Sequence, residues 1–229
     1  MNELGIIFDF DGVIVDSEGL QYESYAEVLR PLGVEITAEE YEREWIAAGR
    51  GPEYAVERYR LSVTADQLRL AKQPVYHDML HARAALMPGV EETLSALAPE
   101  MPIALATNSD TADTAIVLDG FNLRKWFTAI VTREDYRKRK PAPDAFVVAA
   151  QRIGLPTARC VVVEDATKGI LAAVAAGCPC VAIPNDFTRN NDRSGASVVL
   201  ESMHDVSLEL VRRLVAQGGD DSNRDRRTT

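Results

Sequence analysis

Short apolar runs alternate with helical patterns along most of the chain. The first run covers residues 4–8, and further runs follow at 103–106, 129–131, 160–163, 180–183 and 198–200. Apolar positions at helical spacing lie between these runs and predict helices at 90–97, 111–119, 145–153 and 170–176, before a last helix that ends near Gln217. Because strands that alternate with helices form right-handed βαβ units, the pattern predicts an α/β fold with a parallel sheet.

One long block does not follow this alternation and is helical throughout. Apolar positions from Tyr22 to Leu32 recur at helical spacing, and Pro31 and Gly33 mark the end of that helix. Further helical patterns in the block cover residues 38–48, 52–59 and 65–81.

The position of the block predicts two domains. It lies between the first strand and the rest of the sheet, so we expect residues 17–86 to form a helical insertion. The α/β core is then discontinuous and consists of residues 1–16 and 87–216. Residues 217–229 are polar and charged, and we expect them to be disordered.

The composition is ordinary for a globular protein of 229 residues. No apolar run is long enough to span a membrane and no signal segment is recognisable, so a cytoplasmic location is expected. The net charge of −10 argues against nucleic acid or an anionic membrane as a partner, and an anionic substrate would need a local positive site. Cys178 and Cys180 have no histidine nearby, so we interpret them as small buried hydrophobes rather than zinc ligands.

Two carboxylates, Asp9 and Asp11, follow the first apolar run. Residues i and i+2 of a strand lie on one side, so both can serve one site. Two ionised carboxylates repel each other unless a cation or a shared proton compensates, and parallel sheets bind ligands at the carboxyl ends of their strands. The pair therefore indicates a metal site, although a solvated acidic turn would read the same way.

Three later clusters add complementary chemistry. Thr107-Asn108-Ser109 supplies hydroxyls and an amide where a helix begins, which suits either a phosphate or a plain helix cap. Lys140 lies between a basic run and two prolines, and it is either a fixed ammonium or a solvated lysine. Glu164-Asp165 is a second acidic pair at a strand end, which supplies more oxygen ligands for a hard cation.

These four clusters, in this order, resemble the motifs of the haloacid dehalogenase superfamily. The most similar branch comprises its phosphatases with a small helical cap, which includes phosphoglycolate phosphatases and β-phosphoglucomutases. The resemblance covers residues 4–203, nearly the whole chain, and the four motifs correspond to residues 9–18, 107–109, 140–144 and 164–170. It implies a Rossmann-like core and identifies residues 17–86 as the cap.

The resemblance also implies roles for the site residues. Asp9 would be the nucleophile and form an aspartyl phosphate, and Asp11 would be the general acid and then the base. Lys140 would offset charge near Asp9 and would hold the phosphoryl oxygens together with Thr107 and Asn108.

A Mg²⁺ cofactor is implied as well. Its ligands would be Asp9, the main-chain carbonyl of Asp11, and Asp165. Glu164 would bind the ion directly or through another group.

Several departures from related activities narrow the prediction. Dehalogenases of the superfamily lack the aspartate found here as Asp11. Phosphonoacetaldehyde hydrolases form a Schiff base on a lysine of the cap, and the only lysine in this cap is Lys72. For contact with substrate in the cap we nominate Arg50, whose guanidinium suits a carboxylate or phosphate, and Gln21. Gln21 also aligns with a histidine of the mutases and cannot exchange a proton, and Pro52 replaces a mutase arginine.

We therefore expect a Mg²⁺-dependent hydrolase of small phosphate monoesters, such as sugar or polyol phosphates or phosphorylated small acids. The alternatives are a phosphosugar mutase and, more remotely, a non-catalytic phosphoacceptor or phosphosugar-binding protein. Receiver domains place their phosphorylated aspartate later in the chain and lack a helical insertion of this length. The expected partner is the small phosphorylated metabolite, and the expected state is a monomer or a small homo-oligomer.

Overall fold

A parallel sheet lies at the centre of the computed structural model, which describes residues 3–224. Its strands are β1 (Gly5–Phe8), β2 (Ile103–Ala106), β3 (Ala129–Val131), β4 (Cys160–Glu164), β5 (Cys180–Ala182) and β6 (Val198–Val199). Their order in the sheet is β3-β2-β1-β4-β5-β6, and β1 is hydrogen-bonded to β2 on one side and β4 on the other. This confirms the predicted parallel α/β fold and places the first strand in the middle of the sheet.

Helices flank the sheet and fill the insertion. They are α1 (Glu18–Leu29), α2 (Ala38–Glu40), α3 (Gly51–Tyr59), α4 (Ala65–Arg83), α5 (Val90–Leu97), α6 (Thr111–Gly120), α7 (Asp144–Arg152), α8 (Thr167–Ala176) and α9 (Leu208–Arg224). Among the helices of residues 3–224, none has the length and apolar character to cross a membrane.

Both faces of the sheet are buried, as its apolar strands require. The fully buried Ile6 and Phe8 of β1 pack in one cluster with residues of α5 and α9. Ile7 points to the opposite face and packs in a second cluster with residues of α7 and α8. Each such side chain stabilises the fold by about 1.5–3 kcal/mol relative to exposure, so the middle of the sheet is a firm base for its strand ends.

The helical insertion has a hydrophobic cluster of its own. Tyr25 of α1 packs against Trp45 with ring centroids 4.7 Å apart, and Leu29 and Leu68 are buried in the same cluster. The chain enters and leaves the insertion side by side, because the Asp16 N–H donates to the Ala85 carbonyl at 2.9 Å. The division at residues 17–86 stays a prediction.

The predicted helix at residues 38–48 is only partly α-helical. After α2 it continues as a π-helix over Tyr41–Ala47. The rings of Tyr41 and Trp45 lie 5.4 Å apart on the same side of this segment. Over seven residues, hydrophobic spacing does not distinguish an α-helical turn from a π-helical one, so the sequence pattern missed the difference.

The last helix is longer than the sequence predicts. The backbone is helical to Arg224, beyond the expected end near Gln217, so part of the segment 217–229 that was expected to be disordered is helix. Buried residues of α9, such as Val211 and Leu214, anchor its first half, and a helix that has formed extends at low cost through polar residues. Residues 225–229 of the predicted tail lie outside the described residues.

Candidate active site

The carboxyl ends of neighbouring strands bring the predicted site residues together. Asp9 follows β1, Thr107 follows β2 and Asp165 follows β4. The Asp9 N–H donates to the Val163 carbonyl of β4 at 2.9 Å, which extends the sheet hydrogen bonding to the nucleophile candidate. The loop that precedes α7 adds Lys140 to the same edge.

Lys140 links the two acidic strand ends. Its Nζ donates to Asp9 Oδ1 at 2.7 Å, to Glu164 Oε1 at 2.8 Å and to the Ala106 carbonyl at 2.9 Å. All three protons of the ammonium are therefore used, and the Lys140 side chain is only 1% exposed. Of the two readings of Lys140, the structure shows the fixed ammonium.

The charges at this edge shift one another's ionisation. Burial, followed by the negative charges of Glu164 and Asp11, raises the pKa of Asp9 to about 7, and the Lys140 ammonium opposes that rise. Burial also disfavours the charged form of Lys140, but the adjacent Asp9 and Glu164 outweigh it and raise the Lys140 pKa. The ammonium thus stays charged and favours the ionised form of Asp9 against the effect of burial.

Glu164 is fully occupied by protein contacts. While Oε1 accepts from Lys140, Oε2 accepts the backbone N–H groups of Asp165 at 3.0 Å and Ala166 at 3.2 Å. The start of α8 passes so close that a Cβ on Gly169 would lie 1.6 Å from Glu164 Oε1. Glycine at this position is what lets the carboxylate reach the ammonium.

Three buried carboxylates are grouped closely enough to hold a metal ion. Single oxygen atoms of Asp9, Glu164 and Asp165 all lie within 4.8 Å of one another. Burial and the charges of Glu164 and Asp9 raise the pKa of Asp165 well above its ordinary value. Lys140 supplies one positive charge against these three carboxylates, so the donor set fits a hard divalent cation such as Mg²⁺.

Asn185 and Gly12 complete the surroundings of Asp165. The Asn185 amide donates to Asp165 Oδ2 at 2.8 Å, and its own oxygen accepts the backbone N–H groups of Phe187 and Thr188. Gly12 has a positive φ of 75°, and a Cβ there would lie 2.4 Å from Asp165 Oδ2. Both residues leave Asp165 in one orientation.

Asp11 occupies a different environment from Asp9. Its two carboxylate oxygens accept hydrogen bonds from the hydroxyls of Ser17 and Ser109, and its carboxylate is not part of the three-carboxylate cluster. The turn that follows β1 therefore separates the two aspartates into one group beside an ammonium and one beside hydroxyls. Such a separation is what different chemical roles for two carboxylates require.

Thr107 and Asn108 are oriented by their neighbours. The Tyr136 hydroxyl donates to Asn108 Oδ1 at 2.8 Å, and the Lys140 backbone N–H donates to the same oxygen at 3.1 Å. The Asn108 NH₂ group therefore remains a hydrogen-bond donor with no acceptor among the residues whose side chains the structure describes. Thr107 is buried, and its Oγ1 accepts the Ser109 N–H at 2.9 Å.

The two cap candidates are placed differently. The side-chain oxygen of Gln21 accepts a hydrogen bond from the buried Lys72 at 2.5 Å. Arg50 pairs with Glu44 at 3.1 Å and lies over the ring of Tyr54, so its contacts are inside the helical insertion. Within the described part of the chain, no hydrogen bond or ion pair joins Arg50 to the carboxylate cluster.

Several residues of the site were not nominated from the sequence. Ser17 contacts Asp11 across six positions and Tyr136 contacts Asn108 across 28 positions, and residue spacing alone reveals neither contact. Asn185 could have been found, because it follows β5 by three residues and the other polar strand ends had already been interpreted as a site. The signal was a single amide followed by Asp186, and such a pair is common in loops.

A family model described as haloacid dehalogenase-like hydrolase matches residues 6–183. Phosphoglycolate phosphatase of Escherichia coli is 28% identical over 88% of this chain and 90% of its own length. Fructose-1-phosphate phosphatase YqaB of Escherichia coli is 32% identical over 76% of this chain and 92% of its own length.

Among solved structures, CbbY from Rhodobacter sphaeroides in complex with phosphate has the same fold. The TM-score is 0.81 at 24% identity, and the alignment covers 93% of this chain and all of that one. The likeness includes the helical insertion as well as the sheet, since nearly the whole chain is aligned.

Proposed function

Since the chain belongs to the haloacid dehalogenase-like hydrolases, we propose that it hydrolyses small phosphate monoesters through an aspartyl phosphate formed on Asp9. The observation that carries this proposal is the contact of Lys140 with both Asp9 and Glu164 at 2.7 and 2.8 Å. This contact favours the ionised form of a buried carboxylate and aligns it at the edge of the sheet, which is what a carboxylate nucleophile needs.

In the first half-reaction an Asp9 oxygen attacks phosphorus, and the bond from phosphorus to the ester oxygen breaks. The leaving alkoxide takes a proton from Asp11, which reaches it from a position fixed by Ser17 and Ser109. General acid catalysis of this kind contributes about 10²–10⁴-fold.

In the second half-reaction water attacks the phosphorus of the aspartyl phosphate. Asp11, now ionised, accepts the proton of that water, and the bond from phosphorus to Asp9 breaks. Inorganic phosphate leaves, and both aspartates return to their starting states.

Thr107 and Asn108 would hold the phosphoryl oxygens during both steps, and Lys140, whose three protons are donated within the protein, would offset their charge from beside Asp9. The Asn108 NH₂ is directed by the two donors on its carbonyl oxygen, so it meets an acceptor without first reorganising. Preorganised donors of this kind are the main source of stabilisation for charge that develops in a transition state.

Mg²⁺ would be held by Asp9, Asp165 and the main-chain carbonyl of Asp11. When bound, it would offset the charge of the carboxylates and of the phosphoryl group. Glu164, whose oxygens are taken by Lys140 and two backbone N–H groups, would position Lys140 rather than ligate the ion.

The substrate would be a small metabolite, such as a sugar or polyol phosphate or a phosphorylated acid. The names of two relatives, phosphoglycolate phosphatase and fructose-1-phosphate phosphatase, support this range. Gln21, which cannot take up or release a proton, favours hydrolase activity over phosphosugar mutase activity.

The test is a screen for phosphate release from small phosphate esters with Mg²⁺. For the best ester, Asp9→Asn should lower kcat by about 10⁴-fold or more, because an amide is a poor nucleophile. Asp119→Asn is the matched control, since Asp119 pairs with Arg124 on the surface, and it should keep wild-type activity. Near-normal turnover by Asp9→Asn would disprove the mechanism.

A further inference from the structure

Lys72 of α4 is a buried cation without a counter-ion. It is 8% exposed, its Nζ donates to the neutral side-chain oxygen of Gln21, and it lies 3.6 Å from the ring centroid of Tyr76. No carboxylate of residues 3–218, whose side chains the structure describes, forms an ion pair with it. Because buried charges are normally paired, the missing partner calls for an explanation.

The ring of Tyr76 lies next to this cation, and its hydroxyl is unpartnered. Tyr76 is 1% exposed, and among residues 3–218, whose side chains the structure describes, its hydroxyl has no hydrogen-bond partner. A buried hydroxyl without a partner costs free energy, so its retention needs a reason. Lys72 and Tyr76 are one helical turn apart and both offer protons, and a carboxylate or phosphate is the kind of group that only accepts them.

Both side chains lie between the helical insertion and the general acid. Tyr76 packs in the same hydrophobic cluster as Phe10 and Ile14, which flank Asp11 in sequence. Burial raises the pKa of Tyr76 well above its ordinary value and lowers that of Lys72, and the charge of Asp11 adds to the first shift and opposes the second. The alcohol part of a substrate that receives its proton from Asp11 would therefore lie near Lys72.

The carboxylate whose charge acts most strongly on Lys72 is otherwise engaged. Asp113 of α6 contributes to the Lys72 pKa, but its carboxylate contacts His77 Nε2 at 2.6 Å. Another opening, a cavity of about 280 Å³ beside Gly12 and Asn185, is lined by the carboxylates of Asp16, Glu18 and Asp186. That opening would repel an anion, whereas Lys72 would attract one.

We propose that Lys72 and Tyr76 recognise a second anionic group, a carboxylate or a phosphate, on the alcohol part of the ester. This inference rests on the proposed function and narrows its substrate class to doubly anionic small esters. Gln21 is then a positioning residue that holds the Lys72 ammonium, rather than a direct contact to substrate.

The experiment compares three esters that differ in one group. 2-Phosphoglycolate carries a carboxylate, ethylene glycol bisphosphate a second phosphate, and 2-hydroxyethyl phosphate a neutral hydroxyl. We expect Lys72→Met to lower kcat/KM about 100-fold for the anionic ester that wild type prefers, and less than about 3-fold for the neutral ester. The anionic ester that loses more identifies the recognised group.

Two further variants keep the test interpretable. Tyr76→Phe removes only the unpartnered hydroxyl, so it should fold normally and lower kcat/KM about 10-fold for the same anionic ester. Lys125→Met is the control, because Lys125 is an exposed cation 5.0 Å from the Trp126 ring, and it should leave all three rates unchanged.

The outcomes separate this inference from the proposed function. Equal losses for all three esters, or no loss in Lys72→Met and Tyr76→Phe, would overturn the recognition site while phosphate release continues. Wild type that cleaves the neutral ester as fast as the anionic ones would also overturn it. Absence of phosphate release from every ester would contradict the proposed function itself, and this inference with it.

Discussion

Asn185 fixes the direction in which the Asp165 carboxylate points. Its NH₂ group donates to Asp165 Oδ2, while the turn that follows β5 holds its carbonyl oxygen through two backbone N–H groups. Asp165 is buried and surrounded by like charges, so without this contact it has freedom to rotate or to keep a proton. The neutral amide of Asn185 thus holds the Asp165 carboxylate in the orientation in which it could bind a cation.

We predict that Asn185→Ala weakens Mg²⁺ activation. The Mg²⁺ concentration for half-maximal activity should rise about 10–100-fold, with kcat near wild type once the metal saturates, because residues that orient metal ligands have effects of this size. A titration of phosphate release against Mg²⁺ measures it. Asn191→Ala, in the same loop, is the control, and an unchanged Mg²⁺ dependence in Asn185→Ala would refute the role.

At the scale of elements, the approach of α8 to the end of β4 decides whether Glu164 can form its ion pair with Lys140. Glu164 reaches Lys140 across the position where a side chain of Gly169 would be. The helix begins directly after the strand, so its first turn cannot move away without shifting Asp165. Packing of backbone against a charged side chain is therefore part of the site.

Gly169→Ala should be strongly destabilising and should remove activity. Its Cβ would lie 1.6 Å from Glu164 Oε1, and a displaced Glu164 would leave Lys140 and its own charge incompletely paired, at a cost of about 3–5 kcal/mol. Urea unfolding and phosphate release measure the two effects. Gly19→Ala in α1, where a Cβ would meet no atom within 4 Å, should instead be neutral or stabilising. Equal stability of the two variants would contradict this account.

The strands and the chemistry at their ends could be predicted from the sequence to a large extent. The pattern gave 103–106 and 129–131 with the bounds that β2 and β3 have, because short apolar runs between helices are unambiguous in this fold. The four polar clusters could be assigned to one edge since parallel strands share a direction.

Contacts between distant segments could not be predicted in the same way. Lys72 and Gln21 are separated by 51 positions, and no local pattern shows that their side chains meet. The π-helical segment at Tyr41–Ala47 and the glycine beside Glu164 depend on packing geometry rather than on residue type. The sequence indicates which residues carry chemistry, whereas the fold determines which neighbours tune them.

At the scale of the whole molecule, a chain with a net charge of −10 must attract an anionic ester. Lys140 in the core and Lys72 in the insertion supply buried positive charge, and the charge of Lys168 also acts on Asp165. The insertion contacts the core through His77 and Asp113 at 2.6 Å, so helix α4, which carries Lys72, is held against the core. A divalent cation at the carboxylates would add the remaining charge.

The central claim is that the phosphoryl group passes through Asp9, and trapping it tests this most directly. Asp11→Asn should be mixed with p-nitrophenyl phosphate and Mg²⁺, quenched in acid, digested and analysed by mass spectrometry. This leaving group needs no general acid, so the first half-reaction should persist while the second slows about 10²–10⁴-fold. The account predicts one phosphoryl group on the peptide that contains Asp9, absent when Asp9 is also changed to Asn. A phosphoryl group on any other residue, or turnover without Asp9, would contradict it.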